Sequence, residues 1–277
     1  MSIIKNKLLE VGITNADCSY ILEYVIDKIE KTQEKFYIVT PNPEILVYAN
    51  NDKSFKEILN QARISLCDGV GVFLSGIFLG KPFKERVTGV NFMEKLCSEV
   101  SEKPITVGLL GGGPGIAEMT AKRLLHNYPN LRIVFVAQEW GGDGFKTGEY
   151  IGMRNQAIKI QNKSQDLNRV NSKLLVEKNY GSSGSIDILF VAFGFPKQEE
   201  WIVKNLPHLS VRVMMAVGGS FDYISGNVAR APLIIRKIGM EWLFRLMIQP
   251  WRAKRQWKII IFLWLILKEW FTMERKN

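Results

Sequence analysis

The chain has 277 residues, of which 47% are hydrophobic, and it carries a formal net charge of +10. A chain of this length and composition can bury a large core in one domain, or in one domain with an appendage, which excludes extensive disorder. Its N-terminal stretch contains no apolar run as long as that of a signal peptide, and its three cysteines follow neither a metal-ligand nor a disulfide spacing. These features predict a reduced, cytoplasmic protein.

Six short apolar runs recur along the chain, and helical spacing fills most of the intervals between them. The runs are FYIVT (36–40), RISLC (63–67), ITVGLL (105–110), RIVFVA (132–137), DILFVAFG (187–194) and VRVMMAVGG (211–219). The helical segments cover 17–31, 43–60, 90–100, 114–126 and 197–205. Runs of this kind are typical of strands buried on both faces, and their alternation with helices predicts an α/β fold with a Rossmann-like, doubly wound, mostly parallel sheet. The polar stretch 155–185 is predicted to hold a helix and then a loop.

The chain changes character after Ala231, so we predict a main α/β domain over 1–231 and a helical appendage over 232–277. The appendage holds five of the seven tryptophans, and residues 236–277 carry ten lysines and arginines against three acidic residues. Its longest apolar run, Ile259–Leu267, is shorter than the roughly 20 residues of a membrane-spanning helix. Basic flanks with tryptophans favour a segment that lies in the membrane interface. The alternative is a final helix packed on the core or on a dimer partner.

Polar residues and glycines follow the predicted strands, at the place where a parallel sheet binds its ligands. In a doubly wound sheet the ligand lies outside the carboxyl ends of the strands, so these residues are expected to converge on one rim. They are Thr40, Asn42, Asp68, Gly111–Gly115, Gln198 and Asp222.

Asp68 and the glycine loop each allow two interpretations. Asp68 is placed either as a general base for a substrate hydroxyl or as the N-cap of a helix that starts near Val70. The loop GLLGGGPG (108–115) ends a strand and opens a helix, so it either holds a diphosphate with its backbone N–H groups or forms a tight turn. If the ligand were NAD, an acid should follow about 20 residues later. Glu139 fits that alternative.

The other polar residues are similarly open. Thr40 and Asn42 are either turn and cap residues or ligand contacts, and Arg86 is either a solvated charge or a phosphate clamp. Gln198, at a helix start, is placed to bond a sugar or a base. Asp222, after the last strand, is placed to accept from ribose hydroxyls.

Metal ligands and a catalytic triad are poorly supported by the sequence. His126 and His208 stand alone in expected surface positions, and no Asp-x-Asp pair lies near a strand end. The sequence therefore predicts no metal site.

Five motifs follow one another in order between about Phe36 and Gln256. They are TPNPEILVYA, CDGVGVFLSGIFLGKPFKERVTGVNFMEKL, LLGGGPGIAE, FGFPKQEEWI and VGGSFDYISGNVARAPLIIRKIGMEWLFRLMIQPWRAKRQ. Together they resemble the TagA/WecG/CpsF family of glycosyltransferases. The resemblance implies an inverting transferase, independent of metal and cofactor, that moves N-acetylmannosamine or a related sugar from a UDP-sugar to a polyprenyl-diphosphate-linked sugar. Such a reaction serves the synthesis of cell-surface polysaccharide or teichoic acid.

The resemblance also implies roles for individual residues. Asp68 matches the family's acid and is expected to be the base, with Arg86, Thr40 and Asn42 lining the catalytic site. The expected substrate contacts are Gly111, Gly112, Gly113, Gln198, Asp222, Arg245, Arg252 and Arg255. The basic appendage is expected to meet the membrane surface, which predicts a peripheral protein on the inner face of the cell membrane, with homo-oligomerisation left open.

Two other classes of function are consistent with parts of the sequence, and a third has only the positive charge in its favour. A nicotinamide-dependent oxidoreductase would use the Gly111–Gly115 loop, and a non-catalytic scaffold would use the basic appendage to dock at the membrane. Nucleic-acid binding is not predicted, because no known motif accompanies the positive charge.

Overall fold

The computed structural model describes residues 2–138, 185–250 and 253–274, except for the side chains of 253–256. An antiparallel hairpin of β1 (Lys5–Leu8) and β2 (Val11–Thr14) is followed by the strands of one larger sheet. These strands are β3 (Phe36–Val39), β4 (Ile64–Ser65), β5 (Thr106–Gly111), β6 (Arg132–Ala137), β7 (Ile186–Ala192) and β8 (Val211–Ala216). Their order across the sheet is β4-β3-β8-β7-β5-β6, and every neighbouring pair is parallel. The predicted parallel α/β sheet is confirmed.

Helices connect and cover the strands. In chain order the described helices are α1 (Cys18–Lys31), α2 (Pro43–Asn51), α3 (Lys53–Gln61), α4 (Val70–Phe78), α5 (Gly89–Val100), α6 (Ile116–Asn127), α7 (Lys197–Asn205), α8 (Ser220–Ser225), α9 (Leu233–Lys237), α10 (Glu241–Ile248) and α11 (Ala253–Glu274). The helical C-terminal appendage that the sequence predicts thus consists of α9, α10 and α11.

The sheet is buried on both faces, because successive strand residues point into opposite helical layers. On β3, Ile38 belongs to the core layer formed with α1, α5, α6 and α8. Its neighbour Val39 belongs to the layer formed with the hairpin, α2, α3, α4, α7 and α11. Phe190 and Val191 divide in the same way on β7. This two-sided burial explains why the strands read as continuous apolar runs.

Some predicted boundaries are wrong. The single helix predicted over 43–60 is two helices, because Asp52 has an extended backbone (φ −125°, ψ 103°) and its side chain caps α3. The strand predicted over 63–67 is limited to Ile64–Ser65. The Leu66 N–H still donates to the Val39 carbonyl of β3 (2.9 Å), but the Cys67 carbonyl accepts from the Val87 N–H of another segment (3.0 Å). The segment 155–184 lies outside the described residues.

Helix α11 packs along one face against the main domain. Phe262 is fully buried, and Leu265 and Ile266 join it in the core layer that contains α2. Polar contacts fix the same face: Lys258 pairs with Glu44 (3.3 Å), and the Glu269 carboxylate accepts from the Leu9 N–H (2.8 Å). The predicted alternative of a helix packed on the core therefore describes this face of α11.

The opposite side of α11 forms an exposed apolar face. It consists of Trp257, Ile260, Ile261, Leu263, Trp264, Leu267 and Phe271. The exposed Phe78 of α4 extends this surface, because its ring lies 5.8 Å from that of Trp270. None of the helices in the described ranges has both the length and the apolarity to cross a bilayer.

Candidate active site

The predicted site residues lie along the carboxyl edge of the sheet, as parallel strands require. Thr40 follows β3, Asp68 follows β4, and Gly112 follows β5. Gln198 lies in the first turn of α7, after β7, and Asp222 lies in α8, after β8. This shared edge is called the rim below.

Asp68 is held at the start of α5. Its Oδ2 accepts a hydrogen bond from the Gly89 backbone N–H (3.3 Å). The N-cap of α4 is Gly69, with φ +92° and no side-chain hydrogen bond, so the alternative that Asp68 caps that helix is wrong. The half-buried carboxylate is therefore bound by one backbone donor and keeps acceptor capacity for another group.

The surroundings of Asp68 raise its pKa to about 7. Loss of hydration is the largest cause, and the negative charge of Glu241 on α10 adds to it. The Gly89 hydrogen bond and the Arg86 guanidinium act in the opposite direction. A carboxylic acid with a pKa near neutrality is suited to exchange protons at physiological pH.

Thr40 and Gly89 enclose Asp68 closely. A Cβ atom added at Gly89 would lie 3.0 Å from Thr40 Cγ2 and 3.7 Å from Asp68 Oδ2. The first residue of α5 must therefore be small for the helix to approach the rim this closely. Thr40 itself is buried, and its hydroxyl donates to the Ala216 carbonyl (3.4 Å).

Asn42 is the N-cap of α2. Its Oδ1 accepts from the Ile45 N–H (3.1 Å), as the cap alternative predicts. The cap ties the segment that follows Thr40 to the start of the helix.

Arg86 joins the rim to the appendage. Its guanidinium donates to the Arg236 carbonyl (2.6 Å) and to the Lys237 carbonyl (3.5 Å), at the end of α9. The alternative of a solvated charge is therefore wrong. Arg230 makes a second link, because it pairs with Glu94 on α5 (2.8 Å) and with Glu241 on α10 (3.5 Å).

Steric constraints explain why two positions of the glycine loop are occupied by glycine. Gly111 has φ +106°, and a Cβ there would lie 2.7 Å from the Ala192 backbone. Gly112 has φ +83°, and a Cβ there would lie 3.1 Å from Ile116. Gly113 lacks such a clash, since its Cβ would lie 3.6 Å from Ile116. The tight-turn alternative accounts for the first two glycines, and the loop still presents the N-terminus of α6 at the rim.

Arg245 of α10 reaches the turn that follows β8. Its guanidinium pairs with Asp222 (3.8 Å) and lies 4.7 Å from the centre of the Tyr223 ring. A Cβ added at Gly219 would come within 3.0 Å of the Arg245 Nη1. The structure thus brings the appendage residue Arg245 to Asp222.

Gln198 is buried, and both ends of its amide are bonded. Its Oε1 accepts from the Gly218 N–H (2.9 Å), and its Nε2 donates to Glu199 (2.8 Å). Glu199 was not predicted as a site residue, because the Glu199–Glu200 pair has the sequence pattern of an ordinary exposed helix start. Glu241 and Arg230 were also not predicted as site residues, because their contacts join segments that are distant in the sequence.

Several predicted residues cannot be placed. Arg252, Glu139 and the side chain of Arg255 lie outside the described part of the chain. Within the described ranges, no three His, Cys, Asp or Glu residues cluster as metal ligands. His126 and His208 are exposed, as the sequence predicts.

Comparison with known proteins gives the family. A family model described as "Glycosyl transferase WecG/TagA/CpsF family" matches residues 6–276. The chain belongs to this family. It is thus a glycosyltransferase, and the oxidoreductase and scaffold alternatives give way to that function.

Curated relatives agree with the family model. Three similar proteins, from Staphylococcus aureus strains MRSA252, NCTC 8325 / PS 47 and COL, carry the name N-acetylglucosaminyldiphosphoundecaprenol N-acetyl-beta-D-mannosaminyltransferase. Each is 31% identical over 238 residues, which are 86% of this chain and 82% of the relative. The predicted resemblance is confirmed, and it extends over nearly the whole chain.

Proposed function

We propose that this glycosyltransferase moves N-acetylmannosamine, or a closely related sugar, from a UDP-sugar to a sugar linked to polyprenyl diphosphate. The relatives' name describes such an acceptor for them. The transfer inverts the anomeric configuration, needs no metal ion, and serves the synthesis of a cell-surface polysaccharide or teichoic acid. The observation that carries the proposal is the position of Asp68, a half-buried carboxylate on the rim that accepts from the Gly89 N–H (3.3 Å) beside Thr40.

The reaction is a single displacement. Asp68 takes the proton of an acceptor hydroxyl, and that oxygen attacks the anomeric carbon of the donor. As the new carbon–oxygen bond forms, the bond to UDP breaks, and UDP leaves with the electron pair. One displacement on the face opposite the leaving group inverts the anomeric centre. Thr40 and Arg86 border the carboxylate and line the place where the acceptor hydroxyl approaches.

The charge that develops on UDP is met by protein groups. Arg245 supplies a guanidinium at the β8 side of the rim, and its present partner Asp222 is placed to accept from the ribose. The α6 N-terminus and Gly113 offer backbone N–H groups for the diphosphate. Arg252 and Arg255, from the same appendage, complete the proposed positive charge. Fixed donors of this kind stabilise a leaving diphosphate in place of a metal ion.

The appendage also places the enzyme at the membrane where its lipid-linked acceptor resides. The apolar face of α11 combines tryptophans with Lys268, which lies 5.6 Å from the Trp264 ring centre. Amphipathic surfaces with tryptophans and basic residues bind in the headgroup region of anionic membranes. We therefore assign residues 232–277 to membrane docking, and the protein to the inner surface of the cell membrane.

The proposal is tested by measuring UDP release from a panel of UDP-sugars with a synthetic polyprenyl-diphosphate-linked N-acetylglucosamine. Each reaction is run with and without EDTA, and the product's anomeric configuration is read by NMR. We expect acceptor-dependent turnover with one donor and an inverted product. Asp68→Asn should lower kcat by about 10²–10⁴, which is the usual contribution of a general base.

Asp27→Asn is the matched control. Asp27 is a carboxylate on α1 that pairs with Lys31 four residues later, away from the rim residues. Its loss should leave turnover unchanged. Turnover that disappears with EDTA, a retained configuration, or an Asp68→Asn enzyme as fast as wild type would each overturn the corresponding part of the proposal.

A further inference from the structure

A buried hydrogen-bond relay runs from α7 to the turn after β8. Glu199 is fully buried, and only 1% of Gln198 is exposed. The Gly218 N–H donates to Gln198 Oε1 (2.9 Å), and Gln198 Nε2 donates to Glu199 Oε1 (2.8 Å). Each bond in this series has one donor and one acceptor.

The relay permits only one orientation of the Gln198 amide. An amide has an acceptor oxygen on one side and a donor nitrogen on the other. A flipped amide would face its nitrogen to the Gly218 N–H, which loses that bond in either protonation state of Glu199. It would also face its oxygen to Glu199, which loses the second bond when the carboxylate is ionised. Glu199 therefore sets the direction of the amide, and the amide sets the position of the Gly218 N–H.

Glu199 is poorly suited to a purely structural role. Its Oε2 is buried and has no hydrogen-bond partner in the described structure. Burying an unpaired carboxylate oxygen is unfavourable, and an apolar residue of similar size would suit the core better. Burial raises the pKa of Glu199 to about 7. A protonated carboxyl keeps a carbonyl oxygen that accepts from Gln198, so the relay does not depend on charge.

The relay ends at the turn that carries the nucleotide side of the proposed site. Gly218 has φ +51°, a left-handed conformation that glycine adopts readily, and its N–H is fixed by the bond to Gln198 Oε1 (2.9 Å). The next residue, Gly219, lies against Arg245, and Asp222 follows in α8. A shift of the Gly218 amide would therefore displace the surface on which the Arg245 guanidinium lies.

We propose that Glu199 is a positioning residue that, through Gln198, fixes the Gly218–Gly219 turn and with it the Asp222–Arg245 side of the donor site. Gln198 then acts on the donor through the backbone and makes no direct contact with it. The inference rests on the proposed function in one respect, which is that this turn borders the UDP site.

The test compares Glu199→Leu, which removes the acceptor, with Glu199→Gln, which retains a carbonyl oxygen. Glu200→Leu on the exposed side of the same helix turn is the control. Two quantities are measured in the full-length protein: the hydrogen-exchange rate of the Gly218 amide by NMR, and the Kd for UDP by calorimetry. Melting temperatures identify variants that are unfolded.

We expect Glu199→Leu to accelerate Gly218 exchange and to weaken UDP binding, each by about tenfold, the size of one buried hydrogen bond. Glu199→Gln should stay within about threefold of wild type, and Glu200→Leu should match wild type. The relay is overturned if folded Glu199→Leu leaves Gly218 exchange and UDP affinity unchanged. It is equally overturned if Glu199→Gln loses as much as Glu199→Leu.

A second variant covers the case in which Glu199→Leu does not fold. Gln198→Met removes both bonds of the amide and should give the same tenfold changes. The double variant Glu199→Leu/Gln198→Met should bind UDP no more weakly than Gln198→Met alone, whereas additive losses would contradict a relay. If wild type binds no UDP, the proposed function fails, and the Gly218 exchange rate still decides on the relay.

Discussion

The Asp68 carboxylate combines limited hydration with a single backbone donor, and its proton affinity follows from that combination. Asp68 and Glu241 repel each other, while Arg86 attracts the ionised form. Arg86 also bonds the end of α9, and Glu241 lies on α10. The docking of these two helices and the acidity of Asp68 are therefore coupled. One contribution to this proton affinity thus comes from Glu241, a residue of the C-terminal appendage.

The raised pKa of Asp68 predicts the pH dependence of the reaction. In the proposed mechanism the deprotonated form of Asp68 is the active base, so we expect activity to be lost as the pH falls through about 7. We expect kcat/KM to fall about tenfold per pH unit below that value and to level above it. The measurement is the initial rate of UDP release at limiting donor concentration, between pH 5 and pH 9, which is about two pH units on either side of the pKa.

Asp68→Asn provides the comparison for this profile. Its residual activity should show no inflection near neutrality. A wild-type profile that stays level down to pH 5, as an ordinary aspartate pKa of about 4 would give, would contradict the desolvated environment described for this carboxylate.

At the scale of elements, two neighbouring helices have equivalent caps in different places. Asn42 caps α2 at the rim with a bond of 3.1 Å, and Asp52 caps α3 away from it with a bond of 3.0 Å. Each side chain accepts from the N–H three residues later. The pair therefore separates the structural contribution of a cap from a role in the site.

We expect Asn42→Ala and Asp52→Ala each to lower the free energy of unfolding by about 1 kcal/mol, the usual value of an N-cap. Only Asn42→Ala should also reduce kcat/KM, because only that cap fixes the segment beside Thr40. Urea unfolding and the UDP-release assay measure the two effects. If both variants have the same activity, Asn42 acts only as a helix cap and has no role in the site.

Some of the elements could be predicted from the sequence, and others could not. The strand and helix order was predictable because buried parallel strands are long apolar runs that end in polar residues. The β1–β2 hairpin was not, since its turn places Leu9 and Glu10 at φ 51° and 65° without the glycine or asparagine that signals such turns. The convergence of Asp68 and Thr40 on one rim followed from topology. The Arg86 contact with α9 did not, because backbone carbonyls carry no sequence signal.

At the scale of the whole molecule, α11 packs one face against the core and exposes the other to solvent. Removing the helix at Gln256 would uncover α2 by deleting Phe262, Leu265 and Ile266, so truncation would confuse membrane binding with stability. Point substitutions on the two faces separate these effects.

We expect the triple variant Trp257→Gln/Trp264→Gln/Phe271→Gln to keep the wild-type stability and to lose about tenfold or more of its binding to anionic vesicles. Phe262→Ala should do the reverse, and lose about 3–5 kcal/mol of stability while retaining vesicle binding. Vesicle sedimentation and urea unfolding give the two readouts. Unchanged binding by the triple variant would exclude the apolar face as the membrane contact, and its conversion of a dimer to a monomer would assign that face to a second copy instead.

The order of strands in the sheet bears on how the chain is made. β3 pairs with β8, so that Phe36 lies beside Val213, and β8 in turn pairs with β7. On the ribosome, β3 and β4 emerge long before the strand that joins them to β5, β6 and β7. Any sheet fragments that form during synthesis therefore have unpaired inner edges, on β3 and on β7, until β8 (Val211–Ala216) is available to join them. Because unpaired edges are sites of intermolecular pairing, we expect a chain truncated before β8 to aggregate more than the full-length chain.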